Sequence, residues 1–405
     1  MDIALNLGLG GLLRLLEALV SAAPTLAVGL IAAAVMRFFL GIDGTRRLFG
    51  GQSLRSLPQS WLIGMLMPVC SIGVLPILLE MRRAKLKPGA MSAFALAAPL
   101  FNPLSLLYGL TLSRPYVILM YALVSLLVVT IVGLIWDRFA DSQQTDAENA
   151  DDEPPADAFP DRVFGTRRLA AAAIYITRQA FGPVGAWTLL AAGGVMLLTM
   201  LLPHGSLDRA MCRDDWWAPA RMVLVAMPAY ATPMLAMSQM GMMFQHANSP
   251  GAAFVLLAFG AGMNLGTVTW MARHFGVRSA AVWLVSLLVV VALIAYAVNR
   301  PLIPPGITPS DHTHAFDIYT SPLPLDQPDG PAIFQRLLAE RIGLLEQIVG
   351  GGFLIVLLSG AIFRLTGITE LSPAKAVMER AKTEATTGRF DRIISTVPTN
   401  CGLMM

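Results

Sequence analysis

The chain has 405 residues, of which 55% are hydrophobic and only 14% are charged, and its formal net charge is +3. A soluble globular protein carries about a quarter charged residues, so this composition excludes an ordinary water-soluble domain. The small net charge comes without the basic patches that indicate nucleic-acid binding. Uncharged runs cover 56–79, 89–113, 115–136 and 222–244. Each exceeds the roughly 20 residues that a helix needs to cross a bilayer, which predicts a polytopic membrane protein.

The apolar runs predict membrane-spanning helices in chain order. Four spans fall near 15–37, 58–79, 89–112 and 115–136, and four more fall near 182–202, 219–244, 250–271 and 279–299. A shorter run at 347–363 is a candidate ninth span. The first run lacks a basic leader and a small-residue cleavage site, which favours a retained helix over a signal peptide.

Two segments of different composition separate these spans. The sequence after Trp136 becomes acidic and rich in Ala and Pro, which is typical of a disordered linker, and the segment after Arg300 is too rich in proline for a helix. The predicted order is a first repeat at 1–137, an acidic linker at 138–168, a second repeat at 169–300, a proline-rich loop at 301–335, the candidate ninth span at 336–364 and a polar tail at 365–405.

The two groups of spans contain the same helix-breaking residues. A Met-Pro pair interrupts one span of each group, and Pro-Gly-Ala opens the next span at Pro88 and again at Pro250. An asparagine follows each Pro-Gly-Ala at the same distance, at Asn102 and Asn264. Matched Pro- or Gly-interrupted spans are the best sequence indication of a transporter's binding site. The sequence therefore predicts an all-α helical bundle of two four-helix repeats, and counting spans leaves parallel and inverted repeats open.

The first interrupted span contains the stretch MPVCSIGVLP, which is a candidate site. Pro68 and Pro76 disfavour helix on either side of Cys70 and Ser71, and Gly73 is expected to let the chain turn between them. Broken helices persist in a membrane only inside protein or beside a cavity. We therefore expect the freed backbone groups and the thiol to face a solute pathway.

The second half supplies the matching candidates. Pro228, Thr232 and Pro233 form the corresponding break. Asn102 and Asn264 are polar amides near the ends of apolar spans, where such groups tend to mark interfaces or pathways. We expect the two breaks to face each other near the middle of the membrane and the two asparagines to line the path.

The stretch from Met67 to Gly109 resembles the signature of a predicted permease family that includes ArsP-like organoarsenical efflux permeases. In that family a Pro-x-Cys-Ser-Cys-Gly-type segment precedes a basic loop, a Pro-Gly pair and a Pro-x-x-Asn-Pro segment. The stretch from Met227 to Leu265 is similar to the family's second repeat. The resemblance implies a multi-pass permease of the bacterial inner membrane that exports a small solute, such as a metalloid or soft metal species.

The residues leave the nature of the solute open. Ile72 stands where the family has a second cysteine, whereas a soft metal prefers two or three thiolates. Met234 and Met237 are candidate thioether ligands beside Cys70, but methionine also fills gaps in packed helices. Two further interpretations stay open: a permease for an unrelated small anion or organic solute, and a non-transporting membrane scaffold or sensor.

The sequence also predicts what the chain is not. It contains no Walker sequence, catalytic triad or HExxH, so we expect neither enzymatic activity nor a resident cofactor. The expected partners are the lipid bilayer and a small solute rather than nucleic acid, and a homo-oligomer is left open.

Overall fold

The computed structural model describes residues 2–53, 55–140, 165–203, 206–207, 215–246, 248–299, 302, 315–323 and 329–369. Within these ranges the protein is built of helices and turns without a β-strand, which confirms the predicted all-α fold. Most of the predicted linker, residue Cys212 and the tail from 370 onward lie outside the described residues.

The first half of the chain begins with a long helix and ends with another. Helix α1 (Asp2–Val35) continues through a π-helical turn (Met36–Leu40) into α2 (Gly41–Leu48). The helices that follow are α3 (Ser56–Leu66), α4 (Val74–Arg83), α5 (Pro88–Leu100), α6 (Pro103–Leu112) and α7 (Pro115–Ala140).

The second half repeats this sequence of long and short helices. Its helices are α8 (Thr166–Phe181), α9 (Pro183–Leu201), α10 (Ala218–Ala226), α11 (Pro233–Gln245), α12 (Pro250–Val255, extended by a π-helical turn at Leu256–Ala261), α13 (Leu265–Phe275) and α14 (Val277–Asn299). A short 3₁₀ turn (Asp317–Tyr319) follows, and then come α15 (Gly330–Arg341) and α16 (Leu344–Leu365).

Five helical stretches of the described chain are long and apolar enough to cross a membrane, at 3–48, 115–140, 166–201, 277–299 and 344–365. Two bent pairs each count as one further span: α5 and α6 bend by 46°, and α12 and α13 bend by 59°. The candidate ninth span is therefore a continuous apolar helix. The structure agrees with a polytopic bundle whose middle helices are broken.

The bent pairs lie between the long helices. Helix α5 packs against α3 and α7, and α12 packs correspondingly against α10 and α14. The long helices join the halves, because α1 packs against α9 and α7 packs against α14. The second helix of each bent pair packs outside that pair. Helix α6 contacts α11 of the other half, and α13 contacts α9 of its own half. Neighbouring helices therefore enclose both bent pairs.

The Pro-Gly pairs at 88–89 and 250–251 serve the same purpose in both halves. The N–H of Gly89 donates to Oδ1 of Asp137 at the end of α7, and the N–H of Gly251 donates to Oδ1 of Asn299 at the end of α14. A Cβ atom at either glycine would overlap a backbone carbonyl of the same long helix. This shared contact supports two structurally related halves.

Some element boundaries differ from the sequence prediction. Helix α7 continues to Ala140 and α8 begins at Thr166, so both ends of the predicted linker are helical. The apolar runs did not indicate α8, because its sequence is amphipathic and buries one face through Ala171, Tyr175 and other residues. Helix α15 likewise begins inside the predicted proline-rich loop, at Gly330.

Candidate functional site

The first break separates α3 from α4 and is enclosed by protein. Helix α3 ends at Leu66, α4 begins at Val74, and the residues from Val69 to Gly73 are all buried. The Cys70 carbonyl accepts a hydrogen bond from the N–H of Val74 at 3.0 Å. The prediction that the broken segment lies inside protein agrees with this burial.

Two residues of this break act differently from the prediction. Pro76 lies in the first turn of α4, where its missing N–H would have no helical partner anyway, so it does not break the helix. Gly73 has a φ of −63°, which any residue can adopt, so it does not supply a special turn. A Cβ at Gly73 would lie 2.6 Å from the Thr25 carbonyl, and the missing side chain therefore lets α1 pack closely against the break.

A polar network ties the first break to the second bent pair. Asn264 is fully buried, and its Nδ2 donates to Ser71 Oγ at 2.9 Å while its Oδ1 accepts from the N–H of Thr267 at 2.9 Å. The Thr267 hydroxyl donates to the Ser71 carbonyl at 3.2 Å. Asn264 therefore caps α13 and at the same time satisfies a polar group of the broken segment.

The second break separates α10 from α11 at the matching place in the chain. Pro233 opens α11, and Thr232 caps it by accepting a hydrogen bond from the N–H of Leu235 at 3.3 Å. The N–H of Ala231 donates to the Gly260 carbonyl at 2.9 Å. Gly260 belongs to the π-helical turn of α12, so the second bent pair satisfies backbone groups of both breaks.

The two breaks meet through the residues that follow their Met-Pro-x sequences. Cys70 and Tyr230 are both buried and belong to one apolar cluster. The Tyr230 hydroxyl lies beside the Cys70 thiol, but without the geometry of a hydrogen bond, and it has no partner among the described residues. The thiol instead accepts from the N–H of Gly73 at 3.3 Å. Equivalent positions of the two halves are thus in contact.

A cavity of about 350 Å³ opens next to Tyr230 and Thr232. Helix α1 forms one wall with Arg14 and Glu17, and the junction of α15 and α16 forms another with Arg341. This volume lies within the range of about 300–1,000 Å³ that small-molecule sites occupy. The cavity therefore has a polar rim, formed by Arg14, Glu17 and Arg341, and it reaches the second break at Tyr230 and Thr232.

Ion pairs hold the rim together. Glu17 accepts from Arg14 at 2.8 Å and from Arg341 at 3.2 Å. Arg14 also donates to the backbone carbonyl of Asp317, in the segment between α14 and α15. Because Arg341 and Asp317 both follow the second half, the C-terminal elements help to cover this cavity.

The segment at 315–323 is itself inserted into the bundle. Gln239 of α11 donates to the Ala315 carbonyl at 2.8 Å and accepts from the Tyr319 hydroxyl at 3.1 Å. The N–H of Ser321 donates to the Leu202 carbonyl at 3.1 Å. Buried hydrogen bonds therefore fix the loop that packs beside the cavity.

The remaining predicted site residues lie elsewhere or serve the scaffold. Asn102 caps α6 by accepting from the N–H of Ser105 at 2.8 Å. Met237 packs in a different apolar cluster from Cys70, and Met234 is 40% exposed. Within the described ranges, no three His, Cys, Asp or Glu side chains come together as a metal site would require.

Of the residues that line the cavity, sequence reasoning named Thr232 but missed Tyr230, Arg14, Glu17 and Arg341. Tyr230 occupies the position that corresponds to Cys70, so the Met-Pro register contained a signal for it. Arg14 and Glu17 were visible as charges at the entrance of an apolar run, and intramembrane charges tend to be functional. Arg341 gave no comparable signal, because only the folded chain brings it to Glu17.

Comparison with known proteins agrees with this geometry. A family model described as predicted permease (ArsP_1) matches residues 9–300, which include both breaks and both bent pairs. The match ends before α15 and α16. Neither a curated protein nor a solved structure matches the chain.

Proposed function

This chain belongs to the ArsP family of predicted permeases, and we propose that it is a secondary transporter whose solute path leads through the cavity to the two facing breaks. One observation carries the proposal. Matched broken segments of the two halves are in contact, at Cys70 and Tyr230, beside a cavity of about 350 Å³. In transporters, interrupted helices at a repeat interface form the substrate site, and alternating access moves the halves around it.

The proposed roles divide between contact and positioning. Cys70, Tyr230 and Thr232 contact the solute. Ser71 and Asn264 fix the first break against α13 through the hydrogen bond between them.

The helix ends give the remaining predicted residues a positioning role. Pro68, Pro228 and Pro233 keep the breaks from closing into continuous helix. Gly73 lets α1 approach the first break, and Asn102 fixes the bend between α5 and α6.

Export of a metalloid or soft metal species across a bacterial inner membrane is the narrower form of this proposal. The thiol of Cys70 supports it, since soft species prefer sulfur ligands. Met237 packs in a different apolar cluster from Cys70, and its role as a second sulfur ligand stays a prediction. We therefore expect Cys70 to provide one weak soft contact, with oxygen ligands completing the site.

The test is flux through purified protein in vesicles. Wild-type protein is compared with Cys70→Ser for a panel of arsenicals, antimonials, copper and zinc. A soft-solute permease moves at least one of these, and the variant loses at least tenfold in rate because its only buried thiol among the described residues is gone. A panel in which nothing moves, or a variant that transports like wild type, contradicts the narrower form.

A second solute class is favoured by the polar wall of the cavity. Arg14 is buried at 4% exposure and lines the same space as Tyr230. An arginine in that position suits a small anion or an organic solute with oxygen atoms better than a bare soft cation.

A further inference from the structure

The cavity beside Tyr230 contains hydrogen-bond donors that the described protein leaves without partners. We propose that it binds the oxyanionic head of a small organic solute through Arg14, Tyr230 and Thr232. The inference rests on the proposed function, because it assigns a chemical class to the solute of that same site.

Arg14 supplies the first donor and the positive charge. Its terminal nitrogens are used, one on Glu17 and one on the Asp317 carbonyl. Its Nε is buried and has no partner among the described residues. A buried donor without an acceptor is costly. Glu17 already balances the charge of Arg14, and an anionic oxygen that reaches Nε from the adjoining cavity would satisfy the remaining N–H.

Tyr230 and Thr232 supply two further donors from the second break. The Tyr230 hydroxyl is buried at 3% exposure and makes no hydrogen bond within the described ranges. The Thr232 oxygen accepts from the N–H of Leu235, which leaves its hydroxyl hydrogen free to donate. All three residues line the same cavity, Arg14 from α1 and the other two from the second break.

The Glu17 carboxylate of the wall is already engaged. Oε2 of Glu17 accepts from Arg14, and Oε1 accepts from Arg341. Glu346 also lines the cavity, from the exposed start of α16. Beside Arg14, a cation would therefore find the Glu17 carboxylate engaged, whereas an oxyanion would meet the donors of Arg14, Tyr230 and Thr232. The apolar side chains of Ala18 and Val195 leave room for an organic group.

The experiment measures binding to the full chain in nanodiscs by titration calorimetry. The probe is phenylphosphonate, with benzyl alcohol and benzylammonium as neutral and cationic compounds of similar size. We expect phenylphosphonate to bind at least tenfold more tightly than either control, because hydrogen bonds to charged groups are the stronger ones. Equal binding of the three probes, or binding of the cation alone, would overturn the proposal.

Two tyrosine variants locate the site. Tyr230→Phe removes a hydroxyl that has no partner, so the fold should keep its unfolding temperature while phenylphosphonate binding weakens about tenfold or more. Tyr319→Phe removes a buried hydroxyl that is bonded to Gln239, so the fold should lose stability while binding persists. Unchanged binding in Tyr230→Phe overturns the assignment even if phenylphosphonate binds wild type.

Transport is measured separately in vesicles. Probe binding that depends on Tyr230, without flux of any solute, would support the oxyanion site and contradict the transporter. Flux that depends on Cys70, without preference for phenylphosphonate, would support the transporter and contradict the oxyanion site.

Discussion

The two breaks occupy matching positions in the chain, yet they differ in what their side chains do. In the first break, Ser71 is hydrogen-bonded to Asn264, and Cys70 is buried and does not line the cavity. In the second break, Tyr230 and Thr232 line the cavity, and the Tyr230 hydroxyl has no partner among the described residues. The same break in the helix is therefore fixed by hydrogen bonds to a neighbouring helix in one half and lines a cavity in the other.

This difference bears on the proposed solute path. On that path, a solute in the cavity would meet the second break first and would reach Cys70 after Tyr230 moves. Both breaks also depend on a glycine of a neighbouring long helix, Gly29 for the first and Gly194 for the second. The two breaks are therefore alike in how their backbones pack and different in what their side chains contact.

The largest expected effect tests the shared backbone packing. A Cβ at Gly194 would overlap the Pro228 carbonyl, and a Cβ at Gly29 would overlap the Gly73 carbonyl. We expect Gly194→Ala and Gly29→Ala each to lose about 3 kcal/mol, the upper end for overpacking, because a backbone carbonyl cannot rotate away. Thermal unfolding in detergent measures the loss.

Gly193 provides the matched control for this pair. It adjoins Gly194 on the same helix, but nothing lies within 4 Å of its Cβ position. Gly193→Ala should therefore stabilise α9 by about 0.5–1 kcal/mol. Equal behaviour of Gly193→Ala and Gly194→Ala would refute the close approach of α9 to the second break.

A smaller loss of stability is expected when either helix-capping asparagine is replaced by alanine, and the two losses should differ. Asn264→Ala leaves the Ser71 hydroxyl and the Thr267 N–H without their partner, so we expect a loss of about 2 kcal/mol. Asn102→Ala removes one cap, to Ser105, and should cost about 1 kcal/mol. Unfolding temperatures of the two variants give the order, and a larger loss for Asn102→Ala would contradict the asymmetry.

The smallest expected effect on stability concerns the rim of the cavity. Arg341 is 39% exposed in its pair with Glu17, and such partly exposed pairs contribute less than about 1 kcal/mol. Arg341→Gln should leave unfolding almost unchanged while it speeds solute entry, because one tie across the cavity is lost. Initial flux rates in vesicles measure this, and an unchanged rate would mean that the pair does not limit access.

The sequence predicted the long helices and the breaks well, because runs of apolar residues and matched prolines act locally. Gly73 lies in a turn as predicted, but at a φ that any residue can adopt, and its missing side chain serves the close approach of α1 instead. The assignment of Pro76 to the break was wrong, because α4 begins before Pro76. The caps of Asn102 and Asn264 were visible as polar residues before helices, but their partners were not.

The cavity could not be predicted, since its walls come from distant parts of the chain. Arg14 and Arg341 share the carboxylate of Glu17 only after α15 returns to α1. Amphipathic α8 was missed for a related reason, because only one of its faces is apolar. Local pattern thus predicts helices and breaks, whereas the site depends on contacts between halves.

The most direct test of the solute path is the reactivity of the Cys70 thiol from each face of the membrane. Cys212 and Cys401 are replaced by serine, and a small membrane-impermeant methanethiosulfonate is applied to vesicles of either orientation, with Cys70→Ser as the background. Alternating access around the two breaks predicts that Cys70 reacts from both faces and that transported solute slows both reactions. A thiol that reacts from neither face in the folded protein, or from one face only, would contradict the account.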